Sequence, residues 1–205
     1  PEAGQYVEHV RFENLTFAHT DWRHPDPSDG ADPIAPDTTK TPHSRRHSRG
    51  LKASASQAAC DVPGVIYFEG ARYCAVENCT IEHIGWYGIE IADACHGIRI
   101  VGNTIRDMGA GGVKINGAAT RDPDVQLRQT GHHRVTDNII TQGGKVFHSA
   151  VGVLAMNAHS LAICHNHIHD LYYSGISCGW EWGYQESISR DNLIACNHIH
   201  DLGHK

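Results

Sequence analysis

The sequence predicts an all-β chain wound as a right-handed parallel β-helix, a solenoid of short strands stacked turn upon turn. Three observations predict it. One phrase is written twice, as Asn166-His167-Ile168-His169-Asp170-Leu171 and Asn197-His198-Ile199-His200-Asp201-Leu202, with the copies 31 residues apart. A repeat at that period marks a fold in which each unit contacts only its neighbours. The same asparagine-x-aliphatic beat recurs at Asn138-Ile139-Ile140 and Asn103-Thr104-Ile105, with variants Cys79-Thr80-Ile81 and Leu15-Thr16-Phe17. The anchors of successive turns are therefore Phe17, Ile81, Ile105, Ile140, Ile168 and Ile199. A second beat is a glycine followed by a short strand, at Gly88, Gly112, Gly152 and Gly175, and Gly64-Val65-Ile66-Tyr67 reads in the same register. Both beats alternate with period two, as strands do, and no window sustains a capped helical period.

Taken in order, residues 6–17 form the first rung. A Pro-, Asp-, Ser-, Thr- and Arg-rich stretch from about 23 to 55 reads as an irregular loop insertion. Its basic core, Arg45-Arg46-His47-Ser48-Arg49, is better explained as a solvated loop than as a docking site. The chain returns through Gln57-Ala58-Ala59 to the strand at Gly64. Residues 64–115 give two clean turns, about 119–133 is a shorter excursion with Asp122-Pro123-Asp124, and rungs resume at Arg134. The richest surface phrase follows Gly175: Ser177-Cys178-Gly179-Trp180-Glu181-Trp182-Gly183-Tyr184. One domain over 1–205 is expected, and its last repeat stops soon after Gly203, as in a fragment of a longer solenoid.

Stacked turns lie about 4.8 Å apart, so equivalent residues form ladders along the axis. Asn103, Asn138, Asn166 and Asn197 are expected to make an asparagine ladder at a bend, with Cys79 in the same column. Of the seven cysteines, Cys74, Cys79, Cys164 and Cys178 fall at inward positions, where cysteine acts as a small hydrophobe. Free thiols are expected rather than a disulfide framework. The sequons at Asn14 and Asn78 fall within ladder strands and are discounted. Lys plus Arg is 17 against 23 for Asp plus Glu, a formal net charge of −6. This balance argues against a nucleic-acid partner, and no apolar run is long enough to span a membrane.

The phrases Glu13-Asn14-Leu15-Thr16-Phe17-Ala18-His19-Thr20-Asp21-Trp22, Gln57-Ala58-Ala59, His169-Asp170-Leu171-Tyr172-Tyr173-Ser174-Gly175-Ile176-Ser177 and Gly179-Trp180-Glu181-Trp182-Gly183-Tyr184 resemble large secreted bacterial β-helix proteins. The group is similar to glycoside hydrolase family 141, whose activities include α-L-fucosidase and xylanase. The resemblance covers nearly the whole chain apart from 23–55. It implies a secreted, periplasmic or cell-surface protein acting on a polysaccharide or oligosaccharide. The relatives continue past Asn-His-Ile-His-Asp-Leu-Gly into an Asp-x-Gly-Gly-Ile-Tyr-type rung that this sequence, ending at Lys205, does not include.

A glycosidase needs two carboxyls flanking a sugar, with aromatic rings beside them to hold its apolar faces. Asp170 and Glu181 are the catalytic candidates because they flank the aromatic concentration of one rung. Tyr172, Tyr173, Trp180, Trp182, Glu90 and His169 are the substrate-binding candidates; Tyr172, Tyr173, Trp180, Trp182 and Glu181 are expected to line one concave surface, with Asp170 at its edge. Two of these candidates have a plainer account. Asp170 has a copy in Asp201, as a turn-capping repeat residue would, and Glu90 faces an ion pair with Lys114, worth less than about 1 kcal/mol if exposed. His165, His167 and His169 alternate outward, with His198 and His200 stacked on His167 and His169. A surface ladder is preferred there to a metal, and neither metal nor cofactor is expected. The leading reading is a glycoside hydrolase. The rivals are a polysaccharide lyase, weakened because only Lys114 and Arg99 stand in regular strands as bases, and a non-catalytic glycan-binding or scaffold module. Sugar, linkage and stereochemical outcome stay open at this level.

Overall fold

A computed structural model describes residues 5–21, 57–118, 124–184 and 186–204. The loop expected at 23–55 lies outside them, as does Trp22. In chain order the strands are β1 (Val7–Glu8), β2 (Arg11–Glu13), β3 (Thr16–Thr20), β4 (Gly64–Phe68), β5 (Ala71–Arg72), β6 (Ala75–Glu77), β7 (Thr80–Ile84) and β8 (Tyr87–Ile91). Then come β9 (Arg99–Val101), β10 (Thr104–Met108), β11 (Val113–Asn116), β12 (Arg134–Thr136), β13 (Ile139–Gly143) and β14 (Val151–Met156). The last are β15 (Ala162–Cys164), β16 (His167–Leu171), β17 (Ser174–Gly179), β18 (Leu193–Ala195) and β19 (His198–Ile199). A single helical turn, α1 (Val125–Arg128), sits in the excursion before β12.

From β6 onward every third strand stacks on the one before; in the first turn the interval is four, because β5 pairs with β1, and all pairs are parallel, which builds three long sheets. Sheet I has the order β19-β16-β13-β10-β7-β3, sheet II β17-β14-β11-β8-β4 and sheet III β18-β15-β12-β9-β6-β2. This is an all-β right-handed parallel β-helix. The anchor ladder forms as the repeat predicts, with Phe17, Ile81, Ile105, Ile140, Ile168 and Ile199 in register. Sheet III contributes Phe12, Val76, Ile100, Val135, Ile163 and Ile194 in a second inward column. Sheet II contributes Ile66, Ile89, Val113, Val153 and Ile176. Away from the ends, each aliphatic side chain thus rests on its like above and below, and burying each of these stabilises the solenoid by about 1.5–3 kcal/mol.

The two sequence beats are coupled by one contact. A Cβ at Gly88 would lie 2.8 Å from the Cγ2 of Ile105, and the same clash recurs for Gly112 with Ile140 at 2.6 Å, Gly152 with Ile168 at 2.8 Å and Gly175 with Ile199 at 2.5 Å. Glycine opens each sheet II strand because the next turn's anchor occupies the space a side chain would take. Gly64 departs from the expected register by one residue. It pairs with Tyr87, so Val65 stands where the other turns have glycine, and the Gly64 amide instead donates to Glu90 Oε2 at 2.9 Å.

The bends are held by the asparagine ladder. Asn103 Nδ2 donates to Asn138 Oδ1 at 3.0 Å, Asn138 Nδ2 to Asn166 Oδ1 at 2.9 Å and Asn166 Nδ2 to Asn197 Oδ1 at 2.9 Å. Each amide also donates to a carbonyl one turn below, as Asn138 Nδ2 does to Ile100 O at 2.9 Å. Cys79 completes the column, its backbone N–H donating to Asn103 Oδ1 at 2.9 Å. The residue before each of these positions is left-handed: Asn14, Asn78, Gly102, Asp137, His165 and Cys196 have φ between 52° and 69°. Short polar residues and glycine tolerate that conformation best. Asn14 and Asn78 therefore occupy exposed bends rather than strand interiors, which corrects the sequence-based placement of the two sequons.

All seven cysteines are free. Cys74, Cys79 and Cys164 are buried as expected, and so is Cys95. Cys178 is the exception. It pairs with the buried Ala155, on the inward side of β17, yet it is exposed because no described strand stacks over β17.

Two measurements test these interactions. Asn138→Ala removes the acceptor of both the Asn103 amide and its backbone N–H, at 3.0 and 2.9 Å, and leaves them buried. It should lower the unfolding free energy in urea by about 3–5 kcal/mol, whereas Asn197→Ala at the half-buried end of the ladder should cost about 1–2 kcal/mol. His133 gives the pH dependence. It is buried, its Nδ1 accepts from the Ile98 amide at 3.1 Å, and desolvation, aided by His96, His159 and His132, lowers its pKa to about 3. The unfolded chain therefore binds a proton that the folded chain refuses between about pH 6.5 and 3. Its contribution is complete above that window and falls by about 1.4 kcal/mol per pH unit on acidification. His133→Asn should flatten this limb of the stability–pH curve.

Candidate functional site

Sheet I presents a polar outer face at its corner with sheet II, and a backbone irregularity makes it broad. His19, His83, Asp107, Gln142, Asp170 and Asp201 follow one another up this corner with φ between 48° and 64°. A left-handed residue interrupts strict alternation. In β16, Ile168 and Leu171 are buried, while the two residues between them, His169 and Asp170, both reach the surface. Each turn thus offers two adjacent outward side chains instead of one. The recurrence of aspartate at 170 and 201 is accounted for by this backbone requirement.

Asp170 is nonetheless set in a polar network. Its Oδ2 lies 2.7 Å from His169 Nδ1 and 3.4 Å from Thr141 Oγ1, and its Oδ1 lies 3.5 Å from His204 Nε2. The hydrogen bond from His169 is the main cause holding its carboxyl below the usual range, with the His169 charge, Thr141 and His204 adding to it against desolvation. Asp170 is therefore ionised at neutral pH. It borders an open depression of about 420 Å³ lined by Gln142, Lys145, Asp170, Tyr172 and His204. Tyr172 stacks on His148 with centroids 4.7 Å apart and planes at 10°, which fixes the ring as one wall. Lys145 pairs with Asp107, which also pairs with His83. Lys145 is the first cause of the lowered pKa of Asp107.

The predicted residues fall into three places. Asp170 and Tyr172 line the depression, and His169 lies against Asp170. Trp180, Glu181 and Trp182 lie beyond the far end of β17, whose six residues rise about 20 Å. Trp180 folds back on the outer face of sheet II, its Nε1 donating to Ser177 Oγ at 3.1 Å, while Trp182 and Tyr173 are exposed. Carboxyls that cleave one glycosidic bond stand about 5–10 Å apart. Asp170 and Glu181 start from opposite ends of a strand longer than that.

Glu90 is a correction. It is 1% exposed, not outward to solvent, because the returning segment 57–63 lies across sheet II and seals its outer face. Lys114, 0% exposed, meets Glu90 Oε1 at 3.0 Å and donates to the carbonyls of Val62 and Cys60. Around them Ala58, Ala59, Val62, Tyr87, Phe147, Leu154 and others form a second apolar cluster. The ion pair with Lys114 is real but buried, so the estimate made for an exposed pair does not apply.

Gln142, Lys145, His148 and His204 were not anticipated. Gln142 carried a signal, since it occupies the same repeat position as Asp107 and Asp170. Lys145 and His148 lie in the irregular connection after β13, and only the fold brings Lys145 to the depression beside Asp170 and His148 against Tyr172.

Stacked parallel sheets with a carboxylate-bearing depression on one outer corner define a solenoid protein of the β-helix class. The family model described as the right handed beta helix region matches residues 64–205, and the chain belongs to that family. A solved structure named "Glycoside hydrolase" superimposes with a TM-score of 0.73 at 21% identity, a likeness that shows the fold. The match covers 97% of this chain and 35% of that one, so the chain spans about a third of that protein's length. No curated protein matches the sequence.

Lys114→Met should destabilise the chain by about 3–5 kcal/mol, because it strands the buried Glu90 carboxylate. Pairing it with Glu90→Met should recover most of that loss in urea unfolding.

Proposed function

We propose that this chain forms part of a carbohydrate-active β-helix enzyme, a glycoside hydrolase acting on plant or microbial polysaccharide, and that the Asp170 depression is its sugar site. The observation that carries the reading is an ionised carboxylate beside a fixed aromatic wall in an open groove on a stacked sheet. Tyr172 offers a flat face to a sugar ring, and Lys145, Gln142 and His204 offer donors to its hydroxyls. A carboxylate held below its usual range suits the nucleophile or base of a glycosidase rather than its acid. On this reading Glu181, Trp180 and Trp182, across β17, contact a further residue of a long chain rather than the same bond. The resemblance to α-L-fucosidase and xylanase groups makes fucosylated and xylan-type glycans the first substrates to try, and it favours an exported protein.

The lyase reading loses ground because Lys145 is committed to Asp107. The binding-module reading is favoured by the separation of Asp170 from Glu181. Asp170→Asn decides between hydrolase and module, and asparagine tolerates the left-handed backbone at 170, so the bend survives. On a glycan the protein cleaves, Asp170→Asn should lower kcat by about 10²–10⁴-fold with an unchanged circular dichroism spectrum. Tyr172→Ala should act mainly on KM, raising it by about tenfold. Glu181→Gln should spare short substrates. Near-wild-type turnover in Asp170→Asn, with glycan retention lost in Tyr172→Ala, would make the groove a binding surface.

A further inference from the structure

The doubled phrase sets four imidazoles in a two-by-two grid on the outer face of sheet I. His167 stacks on His198 with centroids 4.9 Å apart and planes at 8°, and His169 stacks on His200 at 5.0 Å and 3°. Across the diagonal, His167 Nε2 lies 2.8 Å from His200 Nε2. Ligand atoms of His167, His198 and His200 all lie within 4.8 Å of one another. A second observation points the same way. Asp201 Oδ2 lies 2.7 Å from His200 Nδ1. A carboxylate there takes the Nδ1 proton as its hydrogen-bond donor and leaves the lone pair on Nε2, aimed at His167. That is the arrangement that stands behind metal-bound imidazoles and orients them.

We propose that His167, His198 and His200 bind a divalent transition-metal ion of the Zn²⁺ type, with Asp201 as the carboxylate behind His200 and solvent at the fourth position. Three neutral imidazole nitrogens suit Zn²⁺ and its first-row neighbours, whereas Mg²⁺ and Ca²⁺ require oxygen ligands. Two nitrogens at about 2.0–2.1 Å from a tetrahedral ion stand about 3.3 Å apart. The 2.8 Å diagonal needs only a small side-chain rotation to open that far. His198 is exposed, so the ion keeps access to water. His169 stands outside the site because the ligand atoms that converge are those of His167, His198 and His200. Proximity of histidines alone does not make such a site. His96, His132 and His159 also pack ring on ring at another corner, yet no three of their ligand atoms converge among the described residues. The plainer account of the 2.8 Å contact is an N–H···N bond between His167 and His200, and the proposal does not depend on the hydrolytic reading of Asp170.

The test is titration of metal-stripped protein with ZnCl₂ by calorimetry, with Co²⁺ absorbance in parallel. The expected result is one saturable ion per chain and the intense visible bands of tetrahedral Co²⁺. His198→Asn and His200→Asn should each weaken binding by about tenfold or more, and Asp201→Asn by about tenfold through lost orientation. His132→Asn, a histidine of the other corner, should leave binding unchanged. Modification of intact protein by diethylpyrocarbonate, followed residue by residue, reads the site without any substitution: Zn²⁺ should protect His167 and His200. No saturable binding, weak octahedral Co²⁺ bands alone, equal loss in His132→Asn, or no protection would each overturn the proposal and leave a hydrogen-bonded imidazole pair.

Discussion

The structure depends on keeping successive turns in register at the spacing of hydrogen-bonded strands, and the asparagine column is what enforces it. Each amide in the column is donor to the turn above and to a carbonyl of the turn below, so a slip by one residue would orphan several buried polar groups at once. Apolar columns alone would not choose a register so firmly, because isoleucine packs on isoleucine with little directional preference. The contact between each anchor's Cγ2 and the preceding glycine adds a steric lock: a side chain at Gly112 or Gly152 would collide with the turn above. Hydrogen bonding at one bend and close packing at the other thus fix the pitch together.

Backbone geometry at the corners has a consequence for function. The left-handed residues that turn the chain also break the alternation of the strands, and so place pairs of consecutive side chains on the outer surface. Up the corner of sheets I and II this yields His83, Asp107, Gln142, Asp170 and Asp201, one from each turn. A position that must tolerate positive φ draws on Asp, Asn, His and Gly for backbone reasons, and these are also the residues that carry charge and bind sugars or metals. Structural and chemical pressures coincide there, which explains why Asp170 belongs both to a repeat and to a polar depression.

The outer face of sheet II follows a different logic. Tyr87, Leu154 and Met156 point outward yet are buried, because segment 57–63 and the connection after β13 cover them. The Glu90–Lys114 pair is enclosed in the same layer, satisfied by the Gly64 amide and the Val62 carbonyl. The cost of taking both charges out of water offsets much of their mutual attraction, so the intact pair adds little net stability. It ties the returning segment to the solenoid, and the polar side chains that remain accessible are those on the outer faces of sheets I and III.

The sequence by itself determined the fold class, the anchor and asparagine ladders and the free thiols, since each is a periodic property and a period of one turn is legible in a linear string. It also determined the stacked histidine columns. It misread Gly64 by one residue and Glu90 by its burial, because both depend on a non-repeating segment that folds back over a sheet. The candidate site was legible in part. Asp170, His169 and Tyr172 lie within one rung and come together as their proximity in the chain implies, but Lys145 and His204 reach Asp170 from other turns. Only the tertiary structure decided that β17 holds Asp170 and Glu181 apart, and that His167 and His200 meet across a diagonal. Those relations are set by strand length and by the bend that aims each ring, and neither is written in the order of the residues.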